Sequence, residues 1–135
     1  MIVDSSAVIS LLKQEPDAPI FRRVLESTSN LKMSAASYLE SGIVADGYRD
    51  PKLSARLDTI LEGVGIQIQP VTPEQARIAR QAYRDYGRGS GHRANLNFGD
   101  CFTYALARTT REPVLFKGDD FLHTDLESAV KSNQS

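Results

Sequence analysis

The chain predicts an α/β sandwich built on a central, mostly parallel sheet flanked by helices. Two observations carry that expectation. Short apolar runs of strand character alternate along the chain with longer segments of helical period. Helix caps and Pro- or Gly-bearing breaks fall between them, so that strand, helix, strand and helix follow in turn.

Met1, Ile2 and Val3 open the chain as a buried strand. Ala7, Val8, Ile9, Leu11 and Leu12 then give the apolar side of a helix ending near Lys13. Pro16 and Asp17 punctuate, and a second helix runs through Phe21, Val24 and Leu25. "LKMS" (Leu31 to Ser34) is the second strand, with Ser34 capping a helix from Ala35. Asp50-Pro51 breaks that stretch, after which Leu53, Leu57, Ile60, Leu61 and Val64 mark a further amphipathic helix whose apolar residues are expected in the core. "GIQIQPV" alternates as a strand does. "TPEQ" is a helix start: Thr72 caps, Pro73 takes the first helical position and Gln75 closes a capping box. Ala76, Ala79, Ala82, Tyr83 and Tyr86 form its apolar stripe. Gly87 to Asn97 is a loop, "NFGDCFTYALART" is a helix apolar nearly all round and hence buried, and "PVLFK" is a late strand. Beyond Glu127 the chain reads as a frayed tail.

The 135 residues are read as one domain, 1–135, with no repeat or low-complexity segment. Sixteen basic and seventeen acidic side chains leave a net charge of -1, so no global basic field holds a polyanion and local patches must do so. A single cysteine, Cys101, rules out an internal disulfide and suits a reducing, cytoplasmic setting. No basic leader and no membrane-length apolar run is visible.

Four acids stand in apolar surroundings where a charge is costly to bury alone. Asp4 sits at the junction of the first strand and helix, where it reads equally as an ordinary N-cap. Glu40 lies just inside the edge of an arc formed by Ala36, Leu39, Ile43 and Gly47, and so on the core-facing side of its helix. Asp100 falls in the first turn of the most apolar helix, with Asn97 as its cap. Asp119 and Asp120 follow the last strand through Gly118, a sequence that also makes simple turns. Right-handed crossovers allow all four positions to converge on one sheet edge, beyond the carboxyl ends of the strands. Crowded carboxylates need compensation, and Lys117 is the only cation adjacent to any of them in sequence. A hard dication, Mg²⁺ or Mn²⁺, answers that need, whereas His92, His123 and Cys101 are too scattered for zinc.

Arg77, Arg80, Arg84 and Arg88 recur at helical spacing opposite the apolar stripe, and Arg93 follows in the loop. Between Arg77 and Arg93 five arginines face one acid, Asp85. The stripe reads equally as a solvated face and as a phosphate clamp leading into the Asp100 helix.

Four segments together, "MIVDSSAVISLL", "SAASYLESGIV", "LNFGDCFTYALA" and "LFKGDDFLHTDL", resemble the PIN-domain ribonucleases, specifically the VapC-type toxins of toxin–antitoxin pairs. They occur in the family's order, and the resemblance covers essentially the whole chain. It implies a PIN-like α/β/α sandwich, a four-acid site holding Mg²⁺ or Mn²⁺, and endonucleolytic cleavage of RNA by metal-activated water. By residue it implies Asp4, Glu40 and Asp100 as catalytic and metal-site acids, with Asp119, the first acid after Gly118, as the fourth and Asp120 as its alternative. Ser6 would orient Asp4 or a bound water. One cation is expected on the chain alone and a second with the RNA. The resemblance further implies a homodimer and a cognate VapB-type antitoxin, forming a higher assembly. The antitoxin's C-terminal segment would reach a groove near the acids and place an arginine among them.

Three other readings use the same residues. A phospho-accepting receiver domain needs an acid ending its central strand, which "IQIQPV" lacks. A metal-dependent phosphatase shares the carboxylate chemistry, but "DSS" lacks the second acid of its first-strand motif. A non-catalytic binding module would treat the four acids as caps and turns.

Overall fold

Four short parallel strands, β1 (Ile2–Val3), β2 (Lys32–Ser34), β3 (Gln67–Gln69) and β4 (Val114–Leu115), lie side by side in the order β3-β2-β1-β4. The computed structural model describes residues 1–130. Each crossover carries two helices. These are α1 (Ser5–Leu12) and α2 (Ala18–Glu26), then α3 (Ala35–Gly47) and α4 (Pro51–Val64), then α5 (Pro73–Tyr86) and α6 (Phe98–Thr110).

Strand alternation decides the two layers. Val3 and Leu115 point to one face, where they pack with Val8, Leu12, Phe21 and Leu57 from the first four helices. Ile2, Val114 and Phe116 point to the other, against Ala79, Ala82, Tyr104 and Ala105 of α5 and α6. The sheet is thus covered on both faces, as a purely parallel sheet requires. Leu57 and Leu61 are buried, and Leu53, Ile60 and Val64 pack partly buried against the same core, so the apolar stripe of α4 is core as expected.

The chain steps from β1 to β2 to β3 and then returns across the sheet to add β4 on the far side of β1. The chain therefore leaves β1 towards β2, whereas the segment after β4 returns on the other side to bridge Ser128 to Val114. That reversal opens a crevice between two neighbouring strands, the place where parallel sheets bind ligands. Asp4 lies directly there, its N–H bonded to the Leu115 carbonyl at 2.9 Å.

The structure corrects several local expectations. In α3 the buried residues are Ser37, Ser41 and Ala45, while Leu39 and Ile43 stand 61 % and 63 % exposed and Gly47 is exposed. Glu40 is therefore not on a core-facing arc. The inner face of α3 is made of small residues because it packs against α1 and α6, and its serines bond inward: Ser37 Oγ pairs with Thr103 Oγ1 and Ser41 Oγ donates to the Ser37 carbonyl. In α5, Ala76 and Tyr83 are exposed, and the inner stripe is Gln75, Ala79 and Ala82 with Ile78 and Tyr86 beside them. Thr72 caps Gln75 N–H at 3.1 Å, but Gln75 turns inward and is buried, so it does not return a bond to close a capping box. The segment after Glu127 is not frayed as far as Val130. Val114 N–H donates to the Glu127 carbonyl at 2.9 Å and Ala129 N–H to the Val114 carbonyl at 2.8 Å, and Ala129 and Val130 cover the core. Residues 131–135 of that expected tail lie outside the described residues.

Candidate active site

Asp4 is only 3 % exposed, yet both of its carboxylate oxygens are held. As the N-cap of α1 it accepts the Ser6 N–H on Oδ2 at 3.0 Å. Its Oδ1 accepts from Thr103 Oγ1 at 2.5 Å, and Thr103, fully buried, is itself within 3.1 Å of Ser37 Oγ. Both donors are uncharged, a backbone N–H and a hydroxyl.

Glu40 reaches the same crevice from the flank of α3. Ser5 Oγ donates to its Oε1 at 2.7 Å, tying it to the first turn of α1. The far side of its carboxylate rests on Gly99. A Cβ at that position would lie 2.5 Å from Glu40 Oε2 and 2.9 Å from Oε1, so the missing side chain makes the space for the carboxylate.

Asp100, next in sequence, closes a reciprocal capping box with Asn97. Asp100 N–H donates to Asn97 Oδ1 at 2.8 Å, and Asn97 N–H donates to Asp100 Oδ2 at 3.0 Å. Its pKa is pushed up to about 7. Burial is the main cause, partly opposed by the Asn97 N–H, and the charges of Asp4, Asp120 and Glu40 add to the rise. Asp4, Glu40 and Asp120 thus all bear on Asp100 across this crevice. Of the adjacent pair after β4, it is Asp120 rather than Asp119 whose charge weighs on Asp100. Asp119 instead stands at the head of a short 3₁₀ turn (Asp120–His123), just past Gly118, whose φ of 95° makes the bend out of β4.

Ser6 orients Asp4 as expected, through its backbone. Its backbone N–H holds Asp4, while its hydroxyl accepts the Lys117 N–H at 2.9 Å and so fastens the end of β4 to α1. Lys117, the one cation close to these acids in sequence, is drawn away from them: its Nζ lies 2.8 Å from Glu15 Oε1 and 3.4 Å from Asp17 Oδ1. Among the described residues no lysine or arginine forms an ion pair with Asp4, Glu40, Asp100, Asp119 or Asp120.

Among the described residues, no three Asp, Glu, His or Cys side chains stand close enough to enclose an ion by themselves. Carboxylate oxygens are the donors that Mg²⁺ or Mn²⁺ take, ions that keep several waters and are commonly held by one or two carboxylates. The oxygen-only donor set, the mutual repulsion of the acids and the cleared space at Gly99 all fit such an ion.

Sequence reasoning missed Ser5, Thr103, Ser37 and Gly99. Thr103 carried a signal: it lies three residues after Asp100 and so on the same face of α6. The five arginines divide. All are exposed, and none is in an ion pair among the described residues. Arg80 and Arg88 line an open cavity of about 620 Å³ between α5 and the start of α6, while Arg77, Arg84 and Arg93 do not.

The PIN domain family matches residues 1–127. The chain is 53 % identical over 130 residues to the VapC ribonuclease Mb0625 of Mycobacterium bovis and to ribonuclease VapC28 of Mycobacterium tuberculosis, covering 96 % of this chain and 98 % of each relative. Ribonuclease VapC42 of Mycobacterium tuberculosis is 48 % identical over 129 residues, again covering 96 % and 98 %. The crystal structure of Mycobacterium tuberculosis VapC20, a Sarcin-Ricin loop cleaving toxin, superposes with a TM-score of 0.72 over 93 % of this chain and 95 % of that one. At 16 % identity that likeness bears on the fold alone, and its layers are those found here. With the sheet order, the acids at its switch point and relatives along nearly the whole length in agreement, the chain belongs to the PIN-domain family, among its VapC ribonucleases.

Proposed function

We propose that the protein is a Mg²⁺- or Mn²⁺-dependent endoribonuclease and the toxin of a VapBC-type toxin–antitoxin pair. One observation carries the reading: Asp4, Glu40 and Asp120 bear on Asp100 at the switch point of the sheet, and among the described residues no lysine or arginine pairs with any of them. Asp4 and Asp100 would be the main metal ligands, with Glu40 and Asp120 reaching the ion through waters. Asp120 takes the place that residue order alone gave to Asp119.

The bound cation supplies an acidified water as nucleophile and offsets charge on the scissile phosphate. The chain's own residues do the rest. Ser6 N–H and Thr103 fix the rotamer of Asp4, Ser5 and Gly99 fix Glu40, and the Asn97 cap fixes Asp100. Glu40 and Asp120, which would meet the metal through waters, are the acids placed to accept the nucleophile's proton. The same acids would hold a second cation once the RNA phosphate is present.

The partner is a VapB-type antitoxin, whose cationic side chain among the carboxylates would compete with metal by satisfying the same charge. Leu39 and Ile43, exposed on α3 beside Glu40, are the surface through which a homodimer forms. No helix among the described residues is long and apolar enough to cross a membrane, and the protein acts in the cytoplasm on RNA.

The test is cleavage of total bacterial RNA by the purified protein. Cutting is expected with Mg²⁺ or Mn²⁺, is lost in EDTA, and is lost in Asp4→Asn while the fold survives. Cleavage that persists in EDTA overturns the reading.

A further inference from the structure

Phe98 is the most exposed large apolar side chain of the described residues, at 78 %, and it directly precedes Gly99 and Asp100. Its ring meets Phe102 edge-on at 4.9 Å, one turn along α6. Both rings line the cavity of about 620 Å³, together with Ala79, Cys101 and Tyr83. That size falls within the ~300–1,000 Å³ of small-ligand sites. Two arginines, Arg80 and Arg88, stand on its wall, and Asn97 closes the end nearest the acids. An apolar slot with an aromatic lip and cationic walls is the arrangement that takes an aromatic ring carrying a phosphate.

We propose that this cavity is a nucleobase subsite for single-stranded RNA, in which a base beside the cut phosphate stacks on Phe98 and its flanking phosphates meet Arg80 and Arg88. The inference rests on the ribonuclease reading above and adds to it how the strand is held. Position supports it. Asn97 lines the cavity and also caps Asp100, so the cavity and the acids flank the same first turn of α6. A helix with its side chains is about 10–12 Å across, a span that one or two nucleotides of single strand bridge.

Charge separates this occupant from a second copy of the chain. A two-fold contact through this face would gather Arg80 and Arg88 of both copies into one interface, and no acid lines the cavity to offset them. An RNA strand brings the complementary sign. A duplex would not serve, because its bases are stacked inside and cannot enter the slot.

The test uses a short single-stranded RNA carrying one 2-aminopurine, bound to the Asp4→Asn protein so that it is not cut. Stacking quenches the probe's fluorescence. In that background Phe98→Ala is expected to weaken binding about tenfold and to abolish the quenching, Phe98→Tyr to restore both, and the same RNA annealed to its complement to bind poorly. Phe98→Ala is expected to leave the slope of affinity against salt unchanged, whereas Arg80→Ala and Arg88→Ala each reduce it.

Binding by Phe98→Ala within twofold of its parent overturns the subsite. So does a fall in molar mass from dimer to monomer on that substitution, which would assign the face to a second copy. If the wild type cuts RNA with Mg²⁺ but Phe98 is neutral, the subsite alone falls. If the wild type neither binds nor cuts RNA, the ribonuclease reading falls and the subsite with it.

Discussion

Thr103 Oγ1 donates to Asp4 Oδ1 at 2.5 Å, joining the middle of α6 to the end of β1 across 99 residues of sequence. The bond is buried, and Ser37 of α3 backs it at 3.1 Å, so three elements meet on one carboxylate. Thr103→Val keeps the shape and removes the donor. Leaving Asp4 and Ser37 short of a partner is expected to cost about 1–3 kcal/mol in stability. It is also expected to weaken Mn²⁺ binding, as an unfixed Asp4 no longer presents a set geometry. Thr103→Ser restores both. Urea denaturation and calorimetric Mn²⁺ titration check this, and a metal affinity unmoved by Thr103→Val would deny the hydroxyl a positioning role.

Gly99→Ala separates stability from function at the next acid. In a helix, alanine is ordinarily favoured over glycine by about 0.5–1 kcal/mol. Here the new Cβ would meet Glu40 Oε2 at 2.5 Å, and only the far end of a flexible side chain has to move. The expected result is a protein with an unchanged or higher melting temperature that cuts RNA at least tenfold more slowly. Ser5→Ala, which removes the 2.7 Å bond on the other side of the same carboxylate, is expected to act in the same direction. A Gly99→Ala protein with wild-type cleavage would show that Glu40 is not needed where it stands.

The adjacent acids after β4 are expected to part company. Asp120 acts on Asp100 through space, and Ser6 Oγ pins the strand end that carries it by accepting the Lys117 N–H at 2.9 Å. Asp120→Asn is expected to lower metal-dependent cleavage by an order of magnitude or more, and Asp119→Asn only a few-fold. Rates for the two variants measured at saturating Mg²⁺ decide the matter. The reverse ranking would return the fourth position to Asp119.

The arginines Arg77, Arg84 and Arg93 lie away from the cavity and carry no ion pair among the described residues. If they follow the RNA backbone, each alanine substitution flattens the dependence of log affinity on log salt by roughly 0.7 for a single strand. Binding isotherms at several salt concentrations check this, with an unchanged slope assigning the stripe to solvent.

Much of the layer order was legible because it rests on local signals. Asp4, Ser34, Asp50, Thr72 and Asn97 each cap the helix expected after them. The acids were legible as well, since a charge beside an apolar run conflicts with its surroundings wherever the chain goes. What failed was the face of α3. Leu39 and Ile43 suggested an apolar inner arc, but tight packing against α1 and α6 selects the small Ser37, Ser41 and Ala45. Helical period ranks hydrophobicity and not size. The supports of the site were hidden for a related reason. Ser5, Thr103 and Gly99 matter through partners that lie 35 or more residues away, and only Thr103, one turn from Asp100, carries a local mark.

Asp100 makes the metal-free protein's stability fall as the pH rises towards neutrality. Its carboxyl titrates near 7 in the fold, against an ordinary value of 3.8. Between those values the folded chain holds a proton that the unfolded chain has released, so protonation favours the fold. The contribution is fully present below about pH 4 and is lost as pH rises through 7. Glu112 works in the opposite sense. Its pKa is lowered despite partial burial, because Lys32 lies 2.6 Å from Oε2 and the Met1 amine 2.5 Å from Oε1. That stabilisation is present above about 4.5 and is lost as pH falls through the lowered value. Added Mg²⁺ or Mn²⁺ changes the balance at the upper end only. A dication favours the ionised Asp100, so it must displace a proton below 7 and binds without that cost above it. Melting temperatures in EDTA are therefore expected to decline between pH 5 and 8 relative to an Asp100→Asn protein, whose uncharged side chain cannot titrate. With saturating Mn²⁺ the wild type is expected to gain stability steeply over the same range, and Asp100→Asn to gain little. Parallel curves for the two proteins in EDTA would show that Asp100 is ionised in the empty crevice, which the mutual repulsion of these acids argues against.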